Sequence, residues 1–206
     1  MLSSWKQQIR QQMRQVRRAW LNEVTEPKAA WDLAVARRLA QVLQDNCGLS
    51  SSAESGALVA LYRAMDDEVD PLGVRDLLPQ WQWCYPKVEG SDLQFFLPQS
   101  ERSFAPGAFA ILEPDPLQAD RVELNQCAAC VVPAVAFDQG GGRLGQGKGF
   151  YDRALKNYQG LKVGLAYSVQ MSEGLFPRES HDVLMDVVIT EKFVVKVRSK
   201  ERIEEG

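Results

Sequence analysis

The strongest constraint on the fold is a set of short apolar runs separated by segments with helical periodicity. The run at 130–137, CVVPAVAF, carries no charge, and further apolar runs lie at 56–62, 162–167 and 183–190. Strands that are apolar on both faces are typical of a parallel sheet covered by helices on both sides. The sequence therefore predicts an α/β fold, a single domain whose mainly parallel central sheet is flanked by helices.

An N-terminal helical segment is predicted to precede this sheet. Residues 4–21 carry apolar side chains at positions 5, 9, 13, 16 and 20, which is the spacing of an amphipathic helix. The opposite face of this helix is basic and contains no acid. A second helix is predicted from Thr25, as its cap, to about residue 46, where Gly48 would end it.

Shorter elements fill the rest of the chain. They are predicted as helices at 71–78 and 150–158, strands at 81–88 and 93–97, and an edge strand at 192–197. We expect one α/β domain over residues 1–198 and a polar C-terminal tail at 199–206 that frays.

The composition excludes several classes of function. The chain has 206 residues and a net charge of −3, which gives no reason to expect nucleic-acid binding. None of its apolar runs reaches the roughly 18 to 20 residues of a membrane span. The basic N-terminus lacks the apolar core of a secretory signal. We therefore expect a cytoplasmic protein with no nucleic-acid or membrane partner.

The cysteines are better explained as buried apolar side chains than as a metal or redox site. Cys127 and Cys130 form a C-x-x-C, but a structural zinc site needs a second pair of ligands. Cys47 and Cys84 stand alone in the sequence, and His181 is the single histidine. Because Cys130 also opens an apolar run, packing is the favoured role.

A glycine-rich segment, GGGRLGQGKGFYDR at 140–153, lies between a predicted buried strand and a predicted helix. In open α/β sheets this is the carboxyl end of a strand, where ligands bind. Glycine lets backbone N–H groups converge on an anion, and the next helix adds its dipole. Arg143 and Lys148 add full positive charges. The spacing matches neither a P-loop nor a dinucleotide fingerprint, so a plain surface loop is the alternative to a phosphate site.

The segment VPAVAFDQGGGRLGQGKGFYDR at 132–153 resembles the signature of the 5-formyltetrahydrofolate cyclo-ligase family. The resemblance covers nearly the whole chain, in order, and departs from the family pattern at Gln146, Phe150 and Pro71. The other matching segments are YRAMDDEVD (62–70), YPKVEGSDLQFF (85–96), ILEPDP (111–116), GLAYSVQ (164–170) and FPRESHDVLMDVVITE (176–191).

The resemblance implies an enzyme that converts 5-formyltetrahydrofolate to 5,10-methenyltetrahydrofolate, with ATP as co-substrate and Mg²⁺. In that reaction the formyl oxygen attacks the γ-phosphate of ATP. The neighbouring arm nitrogen then closes the ring, and phosphate leaves. A monomer is expected. The alternatives are a nucleotide-binding regulatory module without turnover, and a targeting or membrane-surface role for the N-terminal helix.

The resemblance also implies which residues meet ATP. Lys6 and Arg10 stand four apart and share one helix face, whereas Arg14, Arg17 and Arg18 are predicted to form a solvated basic face. Arg143 and Lys148 would be catalytic. The implied ATP-binding residues of the glycine-rich segment are Arg143, Leu144, Gly145, Gln146, Gly147, Lys148, Gly149, Phe150 and Tyr151.

Two carboxylates are predicted to hold Mg²⁺, mainly on the resemblance. Asp152 follows the glycine-rich segment, and the alternative is that it caps the next helix. Asp186 interrupts an apolar run, where an unpaired carboxylate is costly, and the alternative is an exposed strand face. Mg²⁺ is usually held by one or two carboxylates together with phosphate oxygens and water.

The folate would meet Glu68, Arg63 and Tyr151. A carboxylate accepts hydrogen bonds from the N–H donors of a pterin ring, so Glu68 is the implied partner. The neighbouring Asp66, Asp67 and Asp70 are predicted to form a solvated acidic turn. Core packing is favoured for Trp81, Trp83 and Tyr85 over stacking on the ring. His181 and Asp182 resemble a catalytic pair but are left outside the catalytic set.

Overall fold

A sheet of eight strands forms the centre of the part of the chain that the structure describes. That part comprises residues 2–48, 56–107 and 111–197 of a computed structural model. Its helices are α1 (Leu2–Glu23), α2 (Lys28–Cys47), α3 (Val74–Leu77) and α4 (Phe150–Leu155). Its strands are β1 (Leu58–Ala60), β2 (Gln82–Glu89), β3 (Asp92–Pro98), β4 (Phe104–Pro106), β5 (Leu112–Pro114), β6 (Ala119–Val122), β7 (Ala129–Pro133), β8 (Ala136–Asp138), β9 (Arg143–Leu144), β10 (Leu161–Leu165), β11 (Met171–Ser172), β12 (Val187–Ile189) and β13 (Val194–Lys196).

The strand order in this sheet is β13-β12-β10-β7-β1-β2-β3-β6. The five central strands, from β12 to β2, run parallel to one another. β13 closes one edge antiparallel, and β3 and β6 close the other. This arrangement confirms the predicted α/β fold with a mainly parallel central sheet. The predicted tail lies outside the described residues.

The sheet is apolar on both faces because its central strands consist of buried residues. All residues of β12 and the first four of β7 are buried. On one face, Val131 and Ile189 pack with Leu39 and Leu43 of α2. On the other face, Val132 and Val188 of the sheet pack with Leu155 of α4. Helices therefore cover both sides of the sheet, as the apolar runs predict.

Two of the predicted boundaries that differ from the structure have a local cause. α2 begins at Lys28, with Pro27 rather than Thr25 at the cap position and no side-chain cap. The ring of a proline disfavours helical backbone in the residue before it, so Glu26 cannot be helical and Thr25 cannot be the cap. The apolar run at 130–137 is also divided, because β7 ends at Pro133 and β8 starts a separate small sheet at Ala136.

The cysteines lie in the core, and all four are free thiols. Cys127 and Cys130 are buried in one apolar cluster, which agrees with the packing role predicted for them. Cys84 is not isolated, however, since its Sγ lies 3.4 Å from that of Cys127. Burial raises the pKa of the Cys130 thiol far above its usual value. This thiol is therefore protonated and unreactive at neutral pH.

α1 crosses the carboxyl-end side of the molecule and joins the fold through an apolar stripe. Trp5, Ile9 and Met13 pack against Leu144 and Phe176, which extend the core beyond the sheet. The rings of Trp5 and Phe176 meet edge to face, with centroids 5.7 Å apart. None of the helices in the described residues is long and apolar enough to cross a membrane.

Candidate active site

A cavity of about 710 Å³ opens where β1 and β7 end. Tyr62 and Arg63 follow β1 into its wall, and Pro133 and Ala134 enter it at the end of β7. This volume lies within the usual range for small-molecule sites. The position agrees with the rule that ligands bind at the carboxyl ends of parallel strands.

The glycine-rich segment forms one wall of this cavity. Its chain leaves the short strand β9, passes through residues 145–149 and enters α4. The φ angles of Gly147 and Gly149 are +100° and +69°, which side-chain-bearing residues rarely adopt. A Cβ on Gly147 would also lie 3.4 Å from Cζ of Arg10. That distance is an ordinary van der Waals contact, so the loop needs glycine here for its backbone turn and not for space.

α1 is held against this loop by basic side chains four residues apart. Nε of Arg10 donates to the Gly145 carbonyl at 2.8 Å, and Arg14 donates to the side-chain oxygen of Gln146. Both arginines line the cavity. The expectation that Arg14 is merely solvated is therefore wrong. Gln146, a position at which the chain departs from the family pattern, thus contacts Arg14 of α1.

Lys6 lies at the cavity wall within an acidic cluster. Its Nζ is 3.0 Å from Asp182 and also bonds Glu179. Burial opposes the charge on Lys6, but these two hydrogen bonds outweigh it and raise the pKa of the lysine. His181 lies beside the same carboxylates, with Nε2 at 3.9 Å from each. Sequence reasoning omitted this cluster from the site, although the matching segment at 176–191 contained it.

Arg143 and Asp152 form a pair in the wall of the cavity. Nη2 of Arg143 is 2.9 Å from Oδ2 of Asp152, and the arginine side chain is 5% exposed. Its guanidinium also lies 5.5 Å from the centre of the Tyr151 ring. Nε of Arg143 is buried without a hydrogen-bond partner among the described residues. The guanidinium of Arg143 thus keeps an N–H that can donate a hydrogen bond to an anionic ligand.

The structure does not bring Asp186 to Asp152. Asp186 directly precedes β12, and its Oδ2 is 3.0 Å from Nζ of Lys162 and 2.8 Å from the Lys162 N–H. In the sheet register Lys162 lies opposite Cys130, near the start of β7. Asp186 therefore lies at the amino ends of the strands, whereas Asp152 lines the cavity at their carboxyl ends. The predicted two-carboxylate site is not formed.

Lys148 lines the cavity with an exposed side chain. Its backbone carbonyl accepts a hydrogen bond from Nη1 of Arg153 at 3.1 Å, and Arg153 also bonds Asp92 at the start of β3. This bond holds the backbone at the lysine, while its exposed side chain can reach a ligand in the cavity.

The cavity wall also contains a buried carboxylate and a set of apolar side chains. Glu68 is 5% exposed and accepts a hydrogen bond from the Met65 N–H at 3.2 Å. Burial raises the pKa of Glu68 above its usual value. The apolar part of the wall is formed by Pro86, Val88, Leu93, Ile111 and Leu112.

Arg63 is the second residue predicted to meet the folate. It lines the cavity but is already engaged, because its guanidinium pairs with Glu101 and lies 4.1 Å from the centre of the Phe104 ring. Trp81, Trp83 and Tyr85 are buried in the core, which agrees with the role favoured for them. They border a separate cavity of about 310 Å³.

The acidic turn after β1 is less solvated than predicted. Asp67 pairs with Arg17 of α1 at 2.7 Å, and the Arg17 side chain is 2% exposed. The hydrogen bonds and charge of Arg17 hold the pKa of Asp67 below its usual value despite partial burial. The expectations of a solvated Asp67 and a solvated Arg17 are therefore both wrong, because each supplies the other's partner.

Comparison with known proteins agrees with this arrangement. The sequence model of the 5-formyltetrahydrofolate cyclo-ligase family matches residues 2–191. The 5-formyltetrahydrofolate cyclo-ligase of Haemophilus influenzae is 45% identical over 85 residues, which cover 39% of this chain and 45% of that protein. The Escherichia coli protein of the same name is 37% identical over 145 residues, covering 64% of this chain and 76% of that protein.

Solved structures extend the likeness to the whole described fold. The NMR structure of Aquifex aeolicus 5,10-methenyltetrahydrofolate synthetase matches with a TM-score of 0.72 and 34% identity, over 99% of this chain and 97% of that one. The Mycoplasma pneumoniae 5,10-methenyltetrahydrofolate synthetase matches with a TM-score of 0.67 and 25% identity, over 90% and 98%. Since the family match runs from α1 to the end of β12 and so includes every element around the cavity, the chain belongs to the 5-formyltetrahydrofolate cyclo-ligase family.

Proposed function

We propose that the chain converts 5-formyltetrahydrofolate and ATP to 5,10-methenyltetrahydrofolate, ADP and phosphate, as part of folate one-carbon metabolism. The observation that carries the proposal is one cavity with two kinds of lining. The glycine loop and the basic residues around it form part of the wall, and buried Glu68 and a set of apolar side chains form another part. The first suits a triphosphate, and the second suits a flat ring that carries N–H donors.

The triphosphate would lie along the loop at residues 145–149. Residues 145–149, with Lys148 among them, line the cavity on the loop side, and Arg10 lines it from α1. Lys6 would exchange part of its contact with Asp182 for a phosphate oxygen. A set of positive charges fixed in advance is what phosphoryl transfer requires from a protein, because little other chemistry has to be supplied.

The reaction itself begins with a weak nucleophile. The formyl oxygen forms a bond to the γ-phosphorus while the bond to the β-phosphate oxygen breaks, and ADP leaves with that electron pair. The arm nitrogen then attacks the activated formyl carbon, closes the ring, and inorganic phosphate leaves. Because an amide oxygen is a poor nucleophile, alignment by the cavity and charge neutralisation by Arg143 and Lys148 must supply most of the acceleration.

Of the two carboxylates predicted to hold Mg²⁺, Asp152 lines the cavity and Asp186 does not. Asp152 opens α4 beside the loop and presents an oxygen ligand to the cavity, while its Oδ2 is oriented by Arg143. Asp186 is separated from it and engaged by Lys162. We therefore infer that Asp152 would hold Mg²⁺ together with phosphate oxygens and water, and that Asp186 takes no part. Bound Mg²⁺ would neutralise charge on the phosphates.

The folate ring would lie between Glu68 and the apolar wall. As a carboxylate, Glu68 accepts hydrogen bonds from ring N–H groups, which fixes the orientation of the ring. The apolar wall excludes water from the opposite face. Tyr151, which borders both the loop and this part of the cavity, would contact both substrates.

The decisive experiment follows the absorbance of methenyltetrahydrofolate formed from 5-formyltetrahydrofolate, with and without ATP. An increase in absorbance that requires ATP supports the proposal. ATP binding without turnover would instead favour the regulatory module, and no dependence on ATP would exclude both.

We also infer that the enzyme acts as a monomer in the cytoplasm. The net charge of −3 gives no reason for binding to nucleic acid or an anionic membrane. Light scattering on the active protein tests the monomer, and a mass of two chains or more would contradict it.

A further inference from the structure

Arg17 is a buried cation on the helix that covers the site. Its side chain is 2% exposed, and its Nη2 lies 2.7 Å from Oδ2 of Asp67. Its Nε and Nη1 are buried and lack a hydrogen-bond partner among the described residues. The neighbouring Arg18 is 72% exposed and reaches the same oxygen only at 3.5 Å. A buried guanidinium is costly without nearby negative charge, so its surroundings need an explanation.

Glu68 follows Asp67 in the chain and is the buried carboxylate of the cavity. Its backbone carbonyl lies 3.4 Å from the hydroxyl of Tyr167, which donates to Asp32 at 2.7 Å. Side chains from the neighbouring elements interact electrostatically or through hydrogen bonds with the Glu68 carboxylate. Arg17 is the cation among those named here. They are Arg17 of α1, Asp67 of the same turn, Gln146 of the glycine loop, Tyr62 after β1 and Tyr151 of α4.

The charges in this turn oppose one another. Burial raises the pKa of Glu68, and the negative charge of Asp67 adds to this rise, whereas the hydrogen bond from the Met65 N–H, the positive charge of Arg17 and the contact with Gln146 lower the pKa. Without Arg17 the pKa of Glu68 would rise further, toward the protonated form. A protonated acid offers a donor where the donors of the folate ring need an acceptor.

We propose that Arg17 is a positioning residue which, held by Asp67, keeps Glu68 ionised and directed into the cavity. The proposal rests on the function proposed above, in which Glu68 accepts hydrogen bonds from the folate ring. Arg17 is not among the residues that line the cavity, so it acts through Glu68 and not on the substrate.

The test compares the pH dependence of kcat/KM for 5-formyltetrahydrofolate in Arg17→Met and Asp67→Asn. Arg17→Met removes the cation, so the acid limb of the profile should move to higher pH by about one unit or more. Asp67→Asn removes the adjacent negative charge and leaves the cation, so the limb should move to lower pH. A merely structural role would lower the rate in both variants without moving the limb in opposite directions.

Three controls make the result specific. Arg17→Lys keeps the positive charge and should return the limb toward the wild-type pH. Arg18→Met removes an exposed arginine next in the chain and should leave the limb unchanged. If Arg17→Met does not fold, Arg17→Gln, which removes the charge but keeps N–H donors, takes its place and should move the limb in the same direction. A limb that stays at the wild-type pH, or moves the same way in both charge variants, overturns the proposal.

A second measurement separates this proposal from the proposed function. The ¹³C signal of the Glu68 carboxyl carbon, assigned with Glu68→Gln, can be titrated in the free protein without substrate or turnover. Its midpoint should rise in Arg17→Met and fall in Asp67→Asn, and unchanged midpoints would overturn the role of Arg17. Absence of turnover in the wild-type protein would count against the proposed function alone.

Discussion

Replacing Asp152 by asparagine should raise the Mg²⁺ concentration that gives half-maximal rate, whereas Asp186→Asn should leave it unchanged. Asp152 faces the cavity that would hold the phosphates of ATP. Asp186 lies at the opposite ends of the strands and pairs with Lys162. The two substitutions make the same chemical change, so each serves as a control for the other.

The structure sets the expected size of the effect in each variant. In Asp152→Asn the amide side chain would keep an oxygen able to accept from Arg143, so the main loss is one negative charge from the site. We expect a tenfold or larger rise in the Mg²⁺ requirement, or about 1.4 kcal/mol. The Asp186 side chain is 43% exposed, so solvent screens its pair with Lys162 to about 1 kcal/mol or less. For a chain of this length that loss lowers Tm by roughly 2–4 °C.

The assay is a Mg²⁺ titration of the initial rate at saturating ATP and 5-formyltetrahydrofolate, with Tm measured on the same preparations. The double variant should match Asp152→Asn in its Mg²⁺ requirement, and its loss of Tm should equal the sum of the losses in the two single variants, because the two sites are separate. A normal Mg²⁺ requirement in Asp152→Asn would refute this reasoning. An equal rise in Asp186→Asn would restore the two-carboxylate site.

Four further substitutions test the rest of the cavity. Lys148→Ala should lower kcat a hundredfold or more, about 3 kcal/mol of transition-state stabilisation. Its Tm should be unchanged because the side chain is exposed. An unchanged kcat would remove the lysine from the mechanism. Lys6→Ala should raise KM for ATP about tenfold, near 1.4 kcal/mol, with little change in kcat, and an unchanged KM would leave Lys6 as a structural contact. The pKa of Asp182 is lowered in the folded protein, since its hydrogen bonds from the Glu179 N–H and Lys6 outweigh burial. Asp182→Asn should therefore reduce the free energy of unfolding above about pH 4. In urea denaturation, the difference between this variant and the wild type should vanish as the pH falls further. A difference that persists in acid would contradict this. Gly147→Ala should strain the backbone at φ +100° by about 1–3 kcal/mol and weaken ATP binding in calorimetry, whereas normal affinity would show that the loop is not preorganised.

The glycine loop could be predicted because its requirements are local in sequence. Positive φ at Gly147 and Gly149 and the charge of Lys148 between them all lie within one short segment. The strand before it was harder to predict. Pro133 has no N–H to continue the ladder, so β7 ends there, and the apolar residues that follow form a hairpin with β9. Apolar character alone does not distinguish one long strand from two short ones.

Asp186 shows why a carboxylate within an apolar run is a weak indicator of a metal site. The run at 183–190 predicted a strand around it, but the strand itself covers only Val187–Ile189. The position of Asp186 just before this strand, and its partner on the adjacent strand, depend on sheet register. Lys162 is 24 residues away in the sequence, and no local pattern connects the two. The ion pair with Lys162 stabilises the charge of Asp186 without a metal.

The contrast between Arg17 and Arg18 follows from the geometry of α1. Residues 5, 9, 13 and 17 form one i, i+4 row, whose first three members are apolar and pack beneath the helix. Each step of four residues rotates a row by about 40° around the axis. The basic row at 6, 10, 14 and 18 therefore begins at the cavity and reaches solvent by Arg18. Arg17 ends the apolar row, so it enters the protein where Asp67 and Glu68 lie. The position of Arg17 in this row agrees with its burial, although the sequence analysis assigned it to the solvated face, because the need for a positive charge there is set by two carboxylates about fifty residues later.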